Sequence, residues 1–220
     1  MRKLLLTLIC SVAVGSGTSA LAAPLNLTLN DHPDVTAGFI DLSYIANNSP
    51  NNFQAIGYDM AMDDDGIGPL LDPFSYDYGS FQILANITTA GVMTGGTITI
   101  SGNYSNTIGI SGVLLTGNLT AFGWTNGAFN ELFEFTYTVT GGLMATSQYF
   151  GVPGSPGGVI YDTQENVFNG SFASSFFSSG FASPNADVAP IPEPATVSLV
   201  LLAGLTLVRP LRRRAAPGRP

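Results

Sequence analysis

All seven Lys and Arg residues of this 220-residue chain lie at its two ends. Arg2 and Lys3 stand at the front, and the other five follow residue 208. A folded core between the two ends must therefore form without a single Lys or Arg salt bridge. Its stability has to come from apolar burial, backbone hydrogen bonds and neutral polar contacts, and like-charge repulsion opposes it.

The stretch between the basic ends, residues 23–191, is strongly acidic and has the length of one domain. Fourteen of the fifteen Asp and Glu residues lie in it, and Glu193 is the exception. A body with this charge cannot neutralise phosphates, so nucleic acid is excluded as a partner. Divalent cations and neutral sugars are compatible ligands.

The amino-terminal 22 residues have the three parts of a secretory signal. The basic pair is followed by the apolar run Leu4–Val14 and by the small-residue site Ala20–Ala22. This order predicts a signal helix over residues 1–22 that signal peptidase removes after Ala22. Cys10, the only cysteine, leaves with it, so the mature chain has no thiol and no disulfide.

A second apolar run, Ala195–Val208, carries no charge and is followed directly by arginines. It predicts a short transmembrane helix, about 21 Å long against a hydrocarbon core of about 30 Å. The cluster Arg212, Arg213 and Arg214 should stay in the cytoplasm, which places the body on the other side of the membrane.

Immediately before this run stand Pro192, Glu193 and Pro194. The order of Pro-Glu-Pro, apolar helix and arginine cluster over residues 191–220 resembles the PEP-CTERM sorting signal of Gram-negative bacteria. The resemblance implies recognition of the motif and cleavage by exosortase, with Arg212–Arg214 as the cytoplasmic retention cluster. It also implies transient anchoring in the inner membrane, then a cell-surface or extracellular location beside exopolysaccharide or biofilm.

Within the body, the apolar residues recur with a period of two. On Glu131–Thr140, Phe133, Phe135, Tyr137 and Val139 alternate with mostly polar residues, and Gly117 is expected to mark a bulge or bend in another strand. Glycine pairs separate the runs. The pattern predicts an all-β ectodomain over residues 23–182, an antiparallel β-sandwich of jelly-roll type. A flexible stalk is expected over residues 183–190.

Two groups of residues are candidates for ligand binding. Asp63, Asp64 and Asp65 lie in an acidic, glycine-containing stretch that predicts either a calcium site or a solvated loop, although the EF-hand spacing fails. Trp124 and Asn126 combine an aromatic ring with an amide, which predicts either a glycan contact or core packing. No other cofactor is expected.

Catalysis has little support in the sequence. Glu131 and Glu134 are three residues apart on one predicted strand, so they point to opposite faces and cannot flank one glycosidic bond. The leading hypothesis is therefore an exported, non-enzymatic surface or matrix protein. The alternative is a secreted carbohydrate-binding module, with or without calcium, and a secreted hydrolase is the third class.

Overall fold

The computed structural model describes residues 23–64, 79–127, 130–178 and 184–192. Within these ranges all regular secondary structure is β, and every strand pairing is antiparallel. The nine strands are β1 (Asp34–Tyr44), β2 (Phe53–Asp63), β3 (Ser80–Ile87), β4 (Met93–Tyr104), β5 (Ile110–Asn126), β6 (Glu131–Gly141), β7 (Pro156–Asp162), β8 (Phe176–Phe177) and β9 (Asn185–Pro190).

The sheet closes on itself. Its strand order is β2-β3-β4-β5-β6-β7-β9-β1, and β1 pairs again with β2, while the two-residue β8 adds to the end of β1. The predicted β-sandwich is therefore wrong, and the fold is an eight-stranded antiparallel β-barrel. Closure removes the open edges that a sandwich would leave, because β1 has a hydrogen-bonded strand on each side.

Alternation along the strands gives the barrel its filled interior. On β6, Phe133, Phe135, Tyr137 and Val139 are buried as the sequence predicted. The expected bulge is confirmed, since the β5–β6 register shifts between Thr116 and Gly117. An eight-stranded barrel is just wide enough for side chains to fill, and large aromatic residues fill this one.

One end of the barrel is closed by an aromatic plug, which we define as Phe168, Phe172 and Phe176. The Phe168 ring lies 4.7 Å from that of Phe172 and 4.8 Å from that of Phe176, centroid to centroid. Phe133 packs beneath the plug at 5.5 Å from Phe168. The Tyr44 hydroxyl donates to the carbonyl of Phe172 at 3.0 Å, which ties the plug to β1.

Most of the predicted flexible stalk, residues 183–190, is instead a strand. Asn185–Pro190 forms β9, which lies between β7 and β1 and completes the barrel wall. Ala186 and Val188 are buried, so this segment contributes to the core. The folded body therefore extends to Pro190 rather than ending at residue 182.

Several predicted targeting features lie outside the described residues: the signal peptide 1–22, Glu193, Pro194, the apolar run 195–208 and Arg212–Arg214. Of the sorting motif, only Pro192 is described. Among the residues that the structure describes, there is no helix with the length and apolar character needed to cross a membrane.

Candidate functional site

A cleft lies beside β1, between the part of that strand that pairs with β9 and the part that pairs with β8. β9 pairs with β1 only as far as Gly38, and β8 pairs with it only from Ser43. Between these two pairings lies a cleft of about 260 Å³. We call it the wall cleft, and its lining includes Phe39, Asp41, Tyr58, Glu165, Ser178 and Pro184.

A β-bulge shapes one side of the wall cleft. The β1–β2 register shifts between Gly38 and Asp41, so Phe39 and Ile40 together face Gly57. A Cβ added to Gly57 would lie 2.7 Å from the Gly38 carbonyl oxygen, so the bulge packs where only glycine fits. Phe39 has a φ of 50°, in the left-handed region that bulky residues rarely adopt. Bulges of this kind re-aim side chains, and here the backbone turns an aromatic ring outward.

The wall cleft is bordered by exposed aromatic rings. Phe39 is 61% exposed and Tyr58 is 52% exposed. Tyr58 lies opposite Gly38 in the β1–β2 register, and Ile56 lies opposite Asp41. Phe177, on β8 outside the cleft, is 54% exposed. Phe39 and Tyr58 therefore form a small exposed aromatic surface beside the cleft.

The electrostatics of the wall cleft are negative. Tyr161 on β7 is completely buried, and its hydroxyl has no hydrogen-bond partner among the described residues. Burial raises the pKa of Tyr161 well above its ordinary value, and the nearby Glu165 and Asp41 carboxylates raise it further. Both cleft carboxylates therefore lie within electrostatic range of this hydroxyl. Since residues 23–192 contain no Lys or Arg, no side chain of these two types balances the negative charge of Asp41 and Glu165.

The residues predicted to bind calcium lie at the carboxy-terminal end of β2. Asp63 is the last residue of that strand and lies opposite Asp34, Asp64 follows it, and Asp65 lies outside the described residues. In the described parts of the chain, no three His, Cys, Asp or Glu side chains are grouped so that they could hold a metal ion. Calcium binding there stays a prediction.

Two of the carboxyls at this end share a hydrogen bond. Asp34 and Asp187 bond to each other through their side chains across the β1–β9 seam. Burial raises the pKa of Asp34 from 3.8 to about 6, and the Asp187 and Asp63 carboxylates add to the rise. Burial also raises the pKa of Asp187, and the bond from Asp34 opposes that rise. Below about pH 6 the carboxyl of Asp34 is protonated and can donate this hydrogen bond to Asp187.

Asp34→Asn is expected to flatten the dependence of stability on pH. A carboxyl whose pKa is raised by folding stabilises the fold at low pH, and that contribution is lost as pH rises from about 4 through about 6. The rise is worth at most about 3 kcal/mol, which solvent screening at this partly exposed pair reduces to about 1–2 kcal/mol. Because asparagine can donate the same hydrogen bond without charge, the variant should match the wild type at pH 4 and exceed it by about 1 kcal/mol at pH 8.

Urea unfolding of both proteins at pH 4, 6 and 8 measures this difference. Asp31→Asn is the matched control. Asp31 is exposed, and its substitution removes one carboxylate charge that lies outside the Asp34–Asp187 pair. Equal changes with pH in the wild type and in Asp34→Asn would show that the pair does not contribute.

The predicted glycan residues lie at the plugged end of the barrel. Trp124 is partly buried and meets Phe168 edge to face, with centroids 4.9 Å apart at 89°. Its indole N–H is buried and has no acceptor among the described residues. Asn126 is exposed on the same strand, beside the turn at Gly170. One edge of the indole therefore packs against the plug, and a glycan contact at these residues stays a prediction.

The two glutamates of β6 have separate structural roles, as their spacing predicted. Glu131 is buried inside the barrel, where its carboxylate accepts hydrogen bonds from the Thr163 hydroxyl and from the backbone N–H of Phe168. Glu134 accepts bonds from the backbone of Leu25, Asn26 and Leu27. Each carboxylate holds a different chain segment against the barrel.

No protein-family model, curated protein or solved structure matches this chain. Function is therefore inferred from its residues and their geometry.

Proposed function

We propose that this chain is an exported, non-enzymatic surface or matrix protein whose mature part is the barrel. In this proposal, signal peptidase removes residues 1–22, and exosortase recognises Pro192, Glu193 and Pro194 and cleaves the chain there. The single observation that carries the proposal is that the barrel occupies the interval between the two sorting sequences. Its strands run from Asp34 to Pro190, and the first backbone N–H that binds the barrel wall is that of Leu25.

The amino-terminal end of the barrel supports this division. Residues 23–30, which we call the N-terminal strap, lie on the outside of the wall, where three of their backbone N–H groups donate to Glu134. Its first hydrogen bond to the barrel, from the N–H of Leu25, comes three residues after the predicted cut at Ala22. A signal peptidase site at Ala22 would thus release a chain whose first residues already have a place on the barrel.

The carboxy-terminal end supports it in the same way. β9 ends at Pro190, and the Pro-Glu-Pro motif starts two residues later at Pro192. The N–H of Asn30 donates to the Pro190 carbonyl at 3.1 Å, so the strap and the last strand meet at one place on the wall. Both processing sites thus adjoin the folded body without interrupting it.

The composition of the barrel fits an extracellular structural role. It contains no cysteine to be oxidised and no Lys or Arg, and its charge is uniformly acidic apart from His32. Exopolysaccharide is the partner that the sorting signal implies, and neutral polysaccharide is compatible with this charge.

Mass spectrometry of the mature protein isolated from the exporting host tests the proposal. The expected species begins at Ala23 and ends near Pro192. Glu193→Ala and Pro194→Ala should leave the Arg-rich tail attached. Pro190→Ala, a proline change just before the motif, is the matched control and should still be processed. A wild-type mature species that retains Arg212–Arg214 would instead identify a simple membrane anchor and contradict the exosortase assignment.

A further inference from the structure

The loop that joins β1 to β2 and the turn that joins β3 to β4 form an open pocket of about 310 Å³. Both connections are described throughout, over residues 45–52 and 88–92. The loop follows Tyr44, whose hydroxyl is bonded to the aromatic plug, so the pocket lies at the plugged end of the barrel. We call it the loop pocket, and its lining includes Asn47, Asn48, Ser49, Asn86, Thr89 and Thr94.

A buried asparagine fixes the two walls of the loop pocket relative to each other. The side-chain oxygen of Asn52 accepts the N–H of Ile87 at 2.8 Å, and its side-chain nitrogen donates to the Ile87 carbonyl at 2.6 Å. The N–H of Asn51 donates to the side-chain oxygen of Asn86 at 2.6 Å. These bonds join the β1–β2 loop to the end of β3, so the pocket holds its shape without a ligand.

The loop pocket has several polar groups that the folded chain does not use. Four of its exposed side chains make no hydrogen bond to another described residue: Asn47, Asn48, Ser49 and Thr89. The side-chain nitrogen of Asn86 also has no acceptor among the described residues. Amides and hydroxyls both donate and accept hydrogen bonds. The pocket therefore suits a ligand that carries donors and acceptors of its own.

Charge and topology narrow the class of ligand. No described lining residue carries a charge, so an ionic ligand would find no counter-charge in this part of the pocket. No aromatic ring is among these residues, so a flat aromatic ligand would have none to stack on. An extended peptide binds by adding to a free strand edge, whereas β2 lies between β1 and β3, and β3 lies between β2 and β4. A sugar ring needs none of these, because its hydroxyls can bond to amides and its C–H groups can contact threonine methyl groups.

We propose that the loop pocket binds a neutral sugar unit of an extracellular polysaccharide, with the amides of Asn47 and Asn48 bonding to its hydroxyls. A volume of about 310 Å³ is at the small end of the range for ligand pockets, which fits one or two sugar rings. The source of the sugar rests on the proposed function, since export would bring the barrel into contact with exopolysaccharide.

Affinity electrophoresis of the purified full-length chain in native gels tests the proposal. Dextran, galactomannan and hydroxyethyl cellulose are the neutral probes, and alginate is the acidic one. We expect at least one neutral polymer to retard the protein, with a Kd of about 1 mM in sugar units. The free monosaccharide of that polymer should compete, because the pocket takes one unit. Alginate should bind about tenfold more weakly or not at all, since the acidic barrel repels it.

Substitutions locate the site. Asn48→Ala should weaken binding about fivefold, because it removes one amide that bonds to the sugar. Asn47→Gly should have a similar effect, and glycine readily adopts the φ of 62° that Asn47 has. Asn126→Ala, which removes an exposed asparagine outside the pocket, is the matched control and should leave the Kd unchanged. Unfolding midpoints confirm that each variant is folded.

Four outcomes would overturn the proposal. Absence of retardation by every neutral polymer at about ten times the expected Kd would show that the pocket binds no sugar. Equal retardation by alginate would show that neutral polymers are not preferred. Binding that Asn126→Ala abolishes and both pocket variants retain would place the site beside Trp124. Displacement of the polymer by a blocked Ser-Gly peptide would identify a peptide site. The chain is tested outside the host, so none of these outcomes bears on its processing, which mass spectrometry measures separately.

Discussion

Glu131→Ala is expected to lower the free energy of unfolding by about 3 kcal/mol or more, because the carboxylate is buried among donors that have no access to water. It accepts the Thr163 hydroxyl at 2.7 Å and the Phe168 N–H at 3.0 Å. Alanine would leave the buried Phe168 N–H without this acceptor and would also open a cavity, whereas the Thr163 hydroxyl could still donate to the Glu165 carbonyl at 3.0 Å. Since Phe168 belongs to the aromatic plug, the plug should loosen together with this network.

Denaturant unfolding followed by near-ultraviolet circular dichroism measures both effects, because the plug rings contribute to that signal. Glu131→Gln is the matched variant: its amide keeps one acceptor oxygen, so the loss should be about half of that for alanine. Thr138→Ala, a change on the outer face of the same strand, should cost less than about 0.5 kcal/mol. A Glu131→Ala protein within about 1 kcal/mol of the wild type would show that water replaces the lost acceptor and that Glu131 does not organise the plug.

The strands could be predicted from the sequence, but the closure of the sheet could not. Alternation on β6 gives the inward face of that strand in a sandwich and in a barrel alike. What distinguishes the two folds is the pairing of β1 with β9, which joins Val35 to Val188 across most of the chain. No local pattern encodes such a partner, because period two specifies which face is buried and not which strand lies alongside.

The segment before the sorting motif shows the same limit. Its Ala, Pro and Asn content predicted a flexible stalk, since these residues have weak strand propensity. In the structure, β7 and β1 supply hydrogen-bond partners on both sides of β9, and Ala186 and Val188 enter the core. Tertiary pairing thus overrides a weak local preference for strand. In the sequence, the alternation of Ala186 and Val188 with polar residues is the signal that this segment forms a strand.

The sequence contains a signal for one part of the wall cleft, the bulge, because the adjacent apolar residues Phe39 and Ile40 interrupt the alternation of β1. The buried residues of β1 change phase, from Val35 and Ala37 to Ile40, Leu42 and Tyr44. A change of phase inside one strand predicts a bulge, and Phe39 is the residue that the bulge exposes. The rest of the cleft could not be found this way, because Tyr58 and Glu165 reach it from a neighbouring strand and from a distant loop.

Glu134→Ala is expected to release the N-terminal strap while the barrel stays closed. The carboxylate accepts the backbone N–H groups of Leu25 at 2.6 Å, Asn26 at 3.0 Å and Leu27 at 2.9 Å. Asn26 has a φ of 53°, and a left-handed residue in such a segment turns successive N–H groups toward one anion. Alanine removes all of these charge-assisted bonds, so the strap should lose about 2–3 kcal/mol of local stability.

Hydrogen exchange followed by mass spectrometry is the direct measurement. Amides 25–27 should exchange about thirtyfold to 150-fold faster in Glu134→Ala, whereas amides of β3 and β4 should keep their wild-type rates. Glu134→Gln should have an intermediate effect, because its amide keeps one acceptor oxygen. Asn26→Gly should preserve protection, since glycine adopts the left-handed conformation readily. Wild-type protection of amides 25–27 in Glu134→Ala would mean that apolar contacts alone hold the strap, such as that of Leu25 beside Gly123. The Glu134 carboxylate would then have no role in positioning the strap.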